Sequence, residues 1–229
     1  MVFVNRKQAG MLLAEKLSAI ALDRKNTVVI AVPRGGVPLG YEIAKSLSIP
    51  LDIILVKKIG APHYPELAVG SVSEDNEIFY NHELLDELGL SAKSVESIKI
   101  LAVKKLQEIG AELREGNPPL PLTGKDIILV DDGIATGATI EVVLQVLKKR
   151  KVRSITIATP VASAETVEKL YKQVDRVVVL STPHPLYSVG EWYLDFTQVE
   201  TDEAIELLKE ISLKKTIDRN LYSNNEELR

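Results

Sequence analysis

Short, continuous apolar runs alternate along the chain with amphipathic stretches. Runs of this kind, bounded by turn residues, predict strands of a parallel sheet that is covered on both faces, and the amphipathic stretches predict the covering helices. The pattern therefore predicts an α/β fold, an open twisted, mainly parallel five-stranded sheet flanked by helices. The five predicted strands are residues 27–32, 51–56, 127–130, 154–159 and 176–180.

Helices are predicted where apolar residues recur at helical spacing. Three of these stretches follow a residue whose side chain can cap a helix, namely Asn5, Ser91 and Ser163. The predicted helices cover approximately residues 5–20, 41–46, 91–114, 140–149, 163–172 and 202–213.

The stretch from Ile127 to Thr139 reads IILVDDGIATGAT and joins a strand, an acid pair and a small-residue loop. Asp131 and Asp132 come at the carboxyl end of the strand, where open α/β sheets bind ligands. The loop leads into a predicted helix, whose first N–H groups and dipole favour an anion. Because paired carboxylates accept hydrogen bonds from vicinal hydroxyls, this order predicts a sugar phosphate held at both ends. The loop consists of Ala135, Thr136, Gly137, Ala138 and Thr139.

Composition limits the function classes. The chain has 229 residues, enough for one large α/β domain, which we expect at residues 1–213 with its core at 27–180 and a frayed tail at 214–229. The net charge of −4 is spread over the chain and favours neither a nucleic-acid nor a membrane partner. The absence of cysteine excludes thiolate nucleophiles and disulfides. Since the N-terminus lacks a signal-peptide pattern, we expect a cytoplasmic protein.

The motif Ile127–Thr139 resembles the binding motif for 5-phosphoribosyl 1-pyrophosphate (PRPP) of type I phosphoribosyltransferases. The resemblance implies transfer of ribose 5-phosphate from PRPP to an N-nucleophile, a nucleobase or similar heterocycle, with release of pyrophosphate. It assigns Asp131 and Asp132 to the ribose hydroxyls and the loop 135–139 to the 5′-phosphate. It also implies Mg²⁺ bound through PRPP, with the two acids as candidate partners through water, and we expect a homodimer.

The resemblance extends to other segments. The sequence Pro33-Arg34-Gly35-Gly36 after the first strand corresponds to the pyrophosphate loop, although an ordinary strand-to-helix turn would read the same. In this interpretation Arg34, Gly35 and Gly36 bind pyrophosphate, and we expect the peptide bond between Pro33 and Arg34 to be cis or strained. The catalytic candidates are Arg34, Lys57, Lys58 and Asp132, although the lysine pair is also typical of an exposed strand end.

Two segments correspond to the flexible lid and the hood of the family. The lid and a hairpin fall at residues 57–80, and the hood at residues 181–200 together with parts of the N-terminus. The hood would receive the nucleophile, or its aromatic residues would simply seal the sheet end. These residues are Tyr187, Trp192, Tyr193 and Phe196, while His63, His82 and His184 have no spacing typical of a metal site.

The acceptor stays open at this stage. Ala135 stands where 6-oxopurine enzymes of the family have an aspartate, and the segments PRGG, KKIGAPHYPELAVGSV and GEWYLDFTQV resemble predicted bacterial and archaeal members whose nucleophile is not established. Three other interpretations remain: a non-catalytic protein that senses PRPP or a nucleotide, a structural protein with a relict site, and an acidic turn with Thr139 as the N-cap of an ordinary helix.

Overall fold

The computed structural model describes residues 1–62 and 64–212, without the side chains of residues 65 and 66. His63 and the predicted tail lie outside the described residues. The strands are β1 Thr27–Ala31, β2 Leu51–Ile53, β3 Val56–Ala61, β4 Tyr64–Ser73, β5 Ile78–Tyr80, β6 Asp126–Val130, β7 Ser154–Val161 and β8 Arg176–Ser181. The helices are α1 Arg6–Ser18, α2 Gly36–Leu47, α3 His82–Glu87, α4 Glu96–Leu113, α5 Ala138–Lys149, α6 Ala164–Tyr171 and α7 at 201–212.

The described residues form two compact units. The first contains Met1–Ile53, Pro119–Thr136 and the chain from Val152 onward; the second contains Ile54–Pro118 and Gly137–Lys151. The chain passes from the first unit to the second between Thr136 and Gly137. No helix among the described residues is both long enough and apolar enough to cross a membrane.

The first unit contains a five-stranded parallel sheet in the order β2-β1-β6-β7-β8. This confirms the predicted fold class. All five residues of β1 are buried, as are the last four of β6, which explains why these strands read as continuous apolar runs. In the pairing of β1 with β6, Ala31 lies opposite Val130, so the two strands end side by side.

The helices of the first unit begin close to their predicted positions, with one exception. Asn5 and Ser163 cap α1 and α6 by accepting hydrogen bonds from the backbone N–H of Gln8 and Thr166. By contrast, α2 begins at Gly36, five residues before the predicted start. Pro38 did not delay it, because the first-turn N–H groups of a helix have no partner within the helix and proline is tolerated there.

The predicted strand 51–56 is wrong in its extent. β2 ends at Ile53, and Val56 begins β3 in a different sheet. Asp52 is buried, and its carboxylate accepts hydrogen bonds of 2.7 Å from the backbone N–H groups of both Ile53 and Leu120. A continuous apolar run cannot show where a chain leaves one sheet for another, because both sheets bury such residues.

The second unit contains the antiparallel sheet β3-β4-β5, on which α4 and α5 pack. The segment predicted as lid and hairpin is therefore a three-stranded sheet over most of its described length. The helix predicted from Ser91 is also shorter than expected, since Ser91 caps a 3-10 turn at Ala92–Val95 and α4 begins at Glu96.

A buried ion pair links the turn after β4 to the end of α4. The guanidinium of Arg114 donates from Nη1 and Nη2 to the two carboxylate oxygens of Glu74, at 2.6 and 2.9 Å, and both side chains are only 7% exposed. A Cβ on Gly110 would lie 2.6 Å from that carboxylate, so this glycine leaves room for the pair. Two further ion pairs, which are more exposed than this one, join the same turn to the end of α5. They are Lys149 with Glu77 and Arg150 with Asp75.

Candidate functional site

The predicted acid pair lies at the carboxyl end of β6, beside the end of β1. Oδ2 of Asp132 accepts a hydrogen bond of 2.8 Å from Nε of Arg6, and Oδ1 of Asp131 accepts one of 2.9 Å from the backbone N–H of Asp132. Both carboxylates are partly shielded from water. The site therefore presents two adjacent carboxylates with one cation against them.

Burial dominates the electrostatics of this pair. It raises the pKa of Asp131 well above its usual value, and the neighbouring charge of Asp132 raises that pKa further. Burial also raises the pKa of Asp132, an effect that the hydrogen bond from Arg6 partly offsets. Groups that donate hydrogen bonds or carry positive charge are therefore favoured as ligands of this pair.

The predicted pyrophosphate loop lies directly against Asp132. The peptide bond between Pro33 and Arg34 is cis, as predicted. A Cβ on Gly35 would lie 2.1 Å from Oδ2 of Asp132, and a Cβ on Gly36 would lie 2.7 Å from the carbonyl oxygen of Val130. Both glycines are thus required by the close approach of β6 to this loop.

The amides of the predicted pyrophosphate loop are not equivalent. The N–H of Gly36 donates to the carbonyl of Val32 at 2.9 Å, so it belongs to the turn itself. The N–H groups of Arg34 and Gly35 make no hydrogen bond with the described residues. These two N–H groups are therefore candidate donors to an anion.

The start of α7 holds the side chain of Arg34. Its Nη1 donates to the hydroxyl of Thr201 at 3.2 Å and lies 3.9 Å from a carboxylate oxygen of Glu200. Arg34 is 35% exposed and Glu200 is more exposed still, so this ion pair is weak. The guanidinium can therefore exchange these partners for an anionic ligand at little cost.

The loop after the acid pair begins as an extension of the sheet and is then held by α6. Ile134 forms a bridge with Ala162 beside the end of β7. The carbonyl oxygen of Ala135 lies 2.6 Å from the hydroxyl of Thr166 and 3.1 Å from that of Ser163. Ser163 also lies 2.8 Å from the hydroxyl of Thr166, so its single proton is shared between the two acceptors.

The same loop ends at Gly137, which adopts the left-handed conformation with φ of 76°. α5 begins at the next residue, so Gly137 occupies the N-cap position and the interpretation of Thr139 as the N-cap is wrong. Thr136 and Thr139 are exposed. Thr136 precedes Gly137 in the loop, and Thr139 lies in the first turn of α5, where the helix N-terminus favours an anion.

The aromatic residues of the predicted hood do not form one cluster. Tyr193 is buried between Phe3 and Phe196, with ring centroids 5.5 and 4.9 Å away, and its hydroxyl donates to the carbonyl of Asp132 at 2.6 Å. Burial raises the pKa of that hydroxyl, and the charge of Asp132 adds to the effect. Trp192 is half-buried, and Tyr187 is 82% exposed. Tyr193 thus both packs in the core and contacts the acid pair.

Arg6 is a site residue that sequence reasoning missed. Its Nη1 donates to the carbonyl of Thr197 at 2.7 Å, and its guanidinium lies 3.9 Å from the ring centroid of Phe196. A signal was present in the sequence, because a cation in the first turn of a helix is opposed by the helix dipole. Such a residue needs a partner elsewhere in the fold.

Lys57 and Lys58 are exposed on β3, within the second unit. Their predicted catalytic role stays a prediction.

His82 starts α3, with its ring 6.1 Å from that of Tyr80, and His184 precedes a cis proline. Within the described residues, no group of three or more histidine or acidic side chains is placed to hold a metal ion.

Comparisons with known proteins agree on one family. The family description "Phosphoribosyl transferase domain" matches residues 4–192. Proteins from two strains of Mycobacterium tuberculosis, named as phosphoribosyl transferases without proof of activity, are 37% identical over 207 residues, which is 90% of this chain and 46% of theirs. The chain thus spans about half the length of these curated relatives. The crystal structure of TT1426 from Thermus thermophilus has a TM-score of 0.80 and 38% identity, covering 92% of this chain and 99% of that one.

Proposed function

Since this chain belongs to the phosphoribosyltransferase family, we propose that it transfers ribose 5-phosphate from PRPP to a nitrogen nucleophile and releases pyrophosphate. The observation that supports this most is the placement of Asp132. Its carboxylate lies against Gly35 of the pyrophosphate loop, and three residues further along the chain the phosphate loop begins. Ribose, pyrophosphate and 5′-phosphate are the three parts of PRPP that such a site would hold.

The proposed reaction breaks the bond between C1 of the ribose and the pyrophosphate oxygen, and it forms a bond from C1 to the acceptor nitrogen. Negative charge then accumulates on pyrophosphate. The side chain of Arg34 and the N–H groups of Arg34 and Gly35 would stabilise that charge, and Lys57 or Lys58 would contribute a further positive charge. Asp131 and Asp132 would accept hydrogen bonds from the ribose hydroxyls while the bond from C1 to oxygen is replaced by the bond to nitrogen.

We expect PRPP binding to depend on Mg²⁺. The donors fit this metal, because Mg²⁺ prefers carboxylate, phosphate and water oxygens and usually takes most of its ligands from substrate and water. When bound, the ion would neutralise charge on pyrophosphate. Calorimetry in EDTA should show PRPP affinity lower by roughly ten-fold or more than in Mg²⁺, and equal affinity in the two buffers would contradict the prediction.

Thr136→Ala and Thr139→Ala should each weaken PRPP binding by roughly 10- to 150-fold. Each substitution removes a hydroxyl that would donate to the charged phosphate, and such a hydrogen bond contributes about 1.5–3 kcal/mol. Thermal stability should change little, since both residues are exposed and neither caps α5. Thr123→Ala is the matched control, because Thr123 is exposed and precedes the amino end of β6. Equal PRPP affinity in all three variants and the wild type would place the phosphate elsewhere.

The experiment that tests the function is incubation with PRPP, Mg²⁺ and a panel of nucleobases, heterocycles and amines, with pyrophosphate as the readout. Steady release that depends on one acceptor supports the proposal. PRPP binding without release for any acceptor would favour a sensor instead. The homodimer and the cytoplasmic location stay predictions.

A further inference from the structure

Arg6 occupies a position that is electrostatically unfavourable for a cation. It is the first residue of α1, where the dipole opposes positive charge, and its side chain is only 11% exposed. Its guanidinium makes three contacts at once: Nε with Asp132, Nη1 with Thr197, and one face with the ring of Phe196. Each contact is with the acid pair or with the hood segment that follows Tyr193.

The hydrogen bonds of the acid pair involve only one oxygen of each carboxylate. Oδ2 of Asp132 is taken by Arg6, and Oδ1 of Asp131 is taken by the backbone N–H of Asp132. The other oxygen of each carboxylate accepts no hydrogen bond from the described residues. One acceptor per carboxylate matches the two vicinal hydroxyls of a ribose.

The torsion of an aspartate carboxylate is soft. Its terminal angle is broad and roughly two-fold, so an unheld carboxylate would rotate between orientations. The neighbouring Gly35 limits the space around Oδ2, and the backbone carbonyl of Asp132 is held by Tyr193. Arg6 supplies the missing restraint on the carboxylate itself.

We propose that Arg6 is a positioning residue for ribose recognition, which holds Oδ2 of Asp132 so that Oδ1 of Asp132 and Oδ2 of Asp131 face the two ribose hydroxyls of PRPP. This inference rests on the proposed function. Because the same guanidinium also holds Thr197 and Phe196, it ties the geometry of the acid pair to the hood. Lysine cannot replace it fully, since a point charge lacks the planar fork that makes the three contacts together.

The test is a double-mutant cycle of Arg6→Gln and Asp132→Asn, with Kd measured by calorimetry for PRPP and for inorganic pyrophosphate in Mg²⁺. Arg6→Gln should weaken PRPP binding by roughly ten-fold, within the range for residues of one hydrogen-bond network, and leave pyrophosphate binding unchanged. The double variant should bind PRPP no more weakly than Asp132→Asn alone, because Arg6 acts through that carboxylate. Arg6→Lys should recover part of the loss.

Lys7→Gln is the matched control, since it removes an exposed cation from the same turn of α1 and should leave PRPP binding unchanged. If Arg6→Gln does not fold, Arg6→Lys enters the cycle in its place. Wild-type PRPP affinity in Arg6→Gln, equal losses for PRPP and pyrophosphate, or additive effects in the cycle would each overturn this inference alone. A wild-type protein that does not bind PRPP would overturn the proposed function and this inference with it.

Discussion

Replacing Arg114 by methionine should lower the free energy of unfolding by about 3–5 kcal/mol, the cost of leaving one charge of a buried ion pair without its partner. The carboxylate of Glu74 would remain buried beside Gly110 with both guanidinium hydrogen bonds gone. The substitution also removes a favourable interaction with the helix dipole, because Arg114 is a cation at the C-terminus of α4.

Urea denaturation followed by circular dichroism measures this effect. Fluorescence is less suitable, because the single tryptophan, Trp192, lies in the other compact unit. Lys149→Met is the matched control: it also removes a cation that pairs with an acid of the turn after β4, but from an exposed pair worth at most about 1 kcal/mol. The double variant Glu74→Leu with Arg114→Met should regain most of the lost stability, since an apolar pair leaves no buried charge. Equal stabilities of Arg114→Met and Lys149→Met would refute the argument.

Replacing Gly35 by alanine should weaken PRPP binding by about 2–5 kcal/mol, roughly 30- to 5,000-fold. The new Cβ would lie 2.1 Å from Oδ2 of Asp132, a distance at which one group has to move. Either the carboxylate leaves Arg6 or the pyrophosphate loop shifts, so both the ribose and the pyrophosphate contacts of the proposed site are disturbed together.

Gly40→Ala separates this effect from a general loss of stability. Gly40 lies in α2, the helix that Gly35 precedes, and its Cβ would lie 2.9 Å from the side chain of Leu51 and 3.1 Å from that of Ala31, in the core. Gly40→Ala should lower the melting temperature and leave the Kd for PRPP unchanged in the folded protein. Wild-type PRPP affinity in Gly35→Ala would show that Asp132 is not held against this loop when the ligand binds.

The parts of the site that could be predicted from sequence are those that lie within one short stretch. The strand, Asp131, Asp132 and the following loop are consecutive, and each has a local signal in hydrophobicity, charge or turn chemistry. The sheet follows from the same signals, because a covered parallel strand has to be apolar throughout.

The parts that could not be predicted depend on contacts between distant positions. Arg6 and Asp132 are 126 residues apart, and Ala135 is 31 residues from Thr166. No spacing rule connects such pairs. The buried Asp52 of β2 accepts a hydrogen bond from Leu120, which is 68 residues away, although one acid in an apolar run does indicate a special position.

The carbonyl oxygen of Ala135, held by the hydroxyls of Thr166 and Ser163, determines more than its own position. A trans peptide group is planar, so its N–H points away from its C=O, and the direction of the Thr136 N–H is set by the same two hydroxyls. The conformational entropy of this peptide is thus lost when the protein folds, before any ligand arrives. A ligand bound by this loop therefore does not have to offset the cost of ordering that peptide, which would otherwise reduce its affinity.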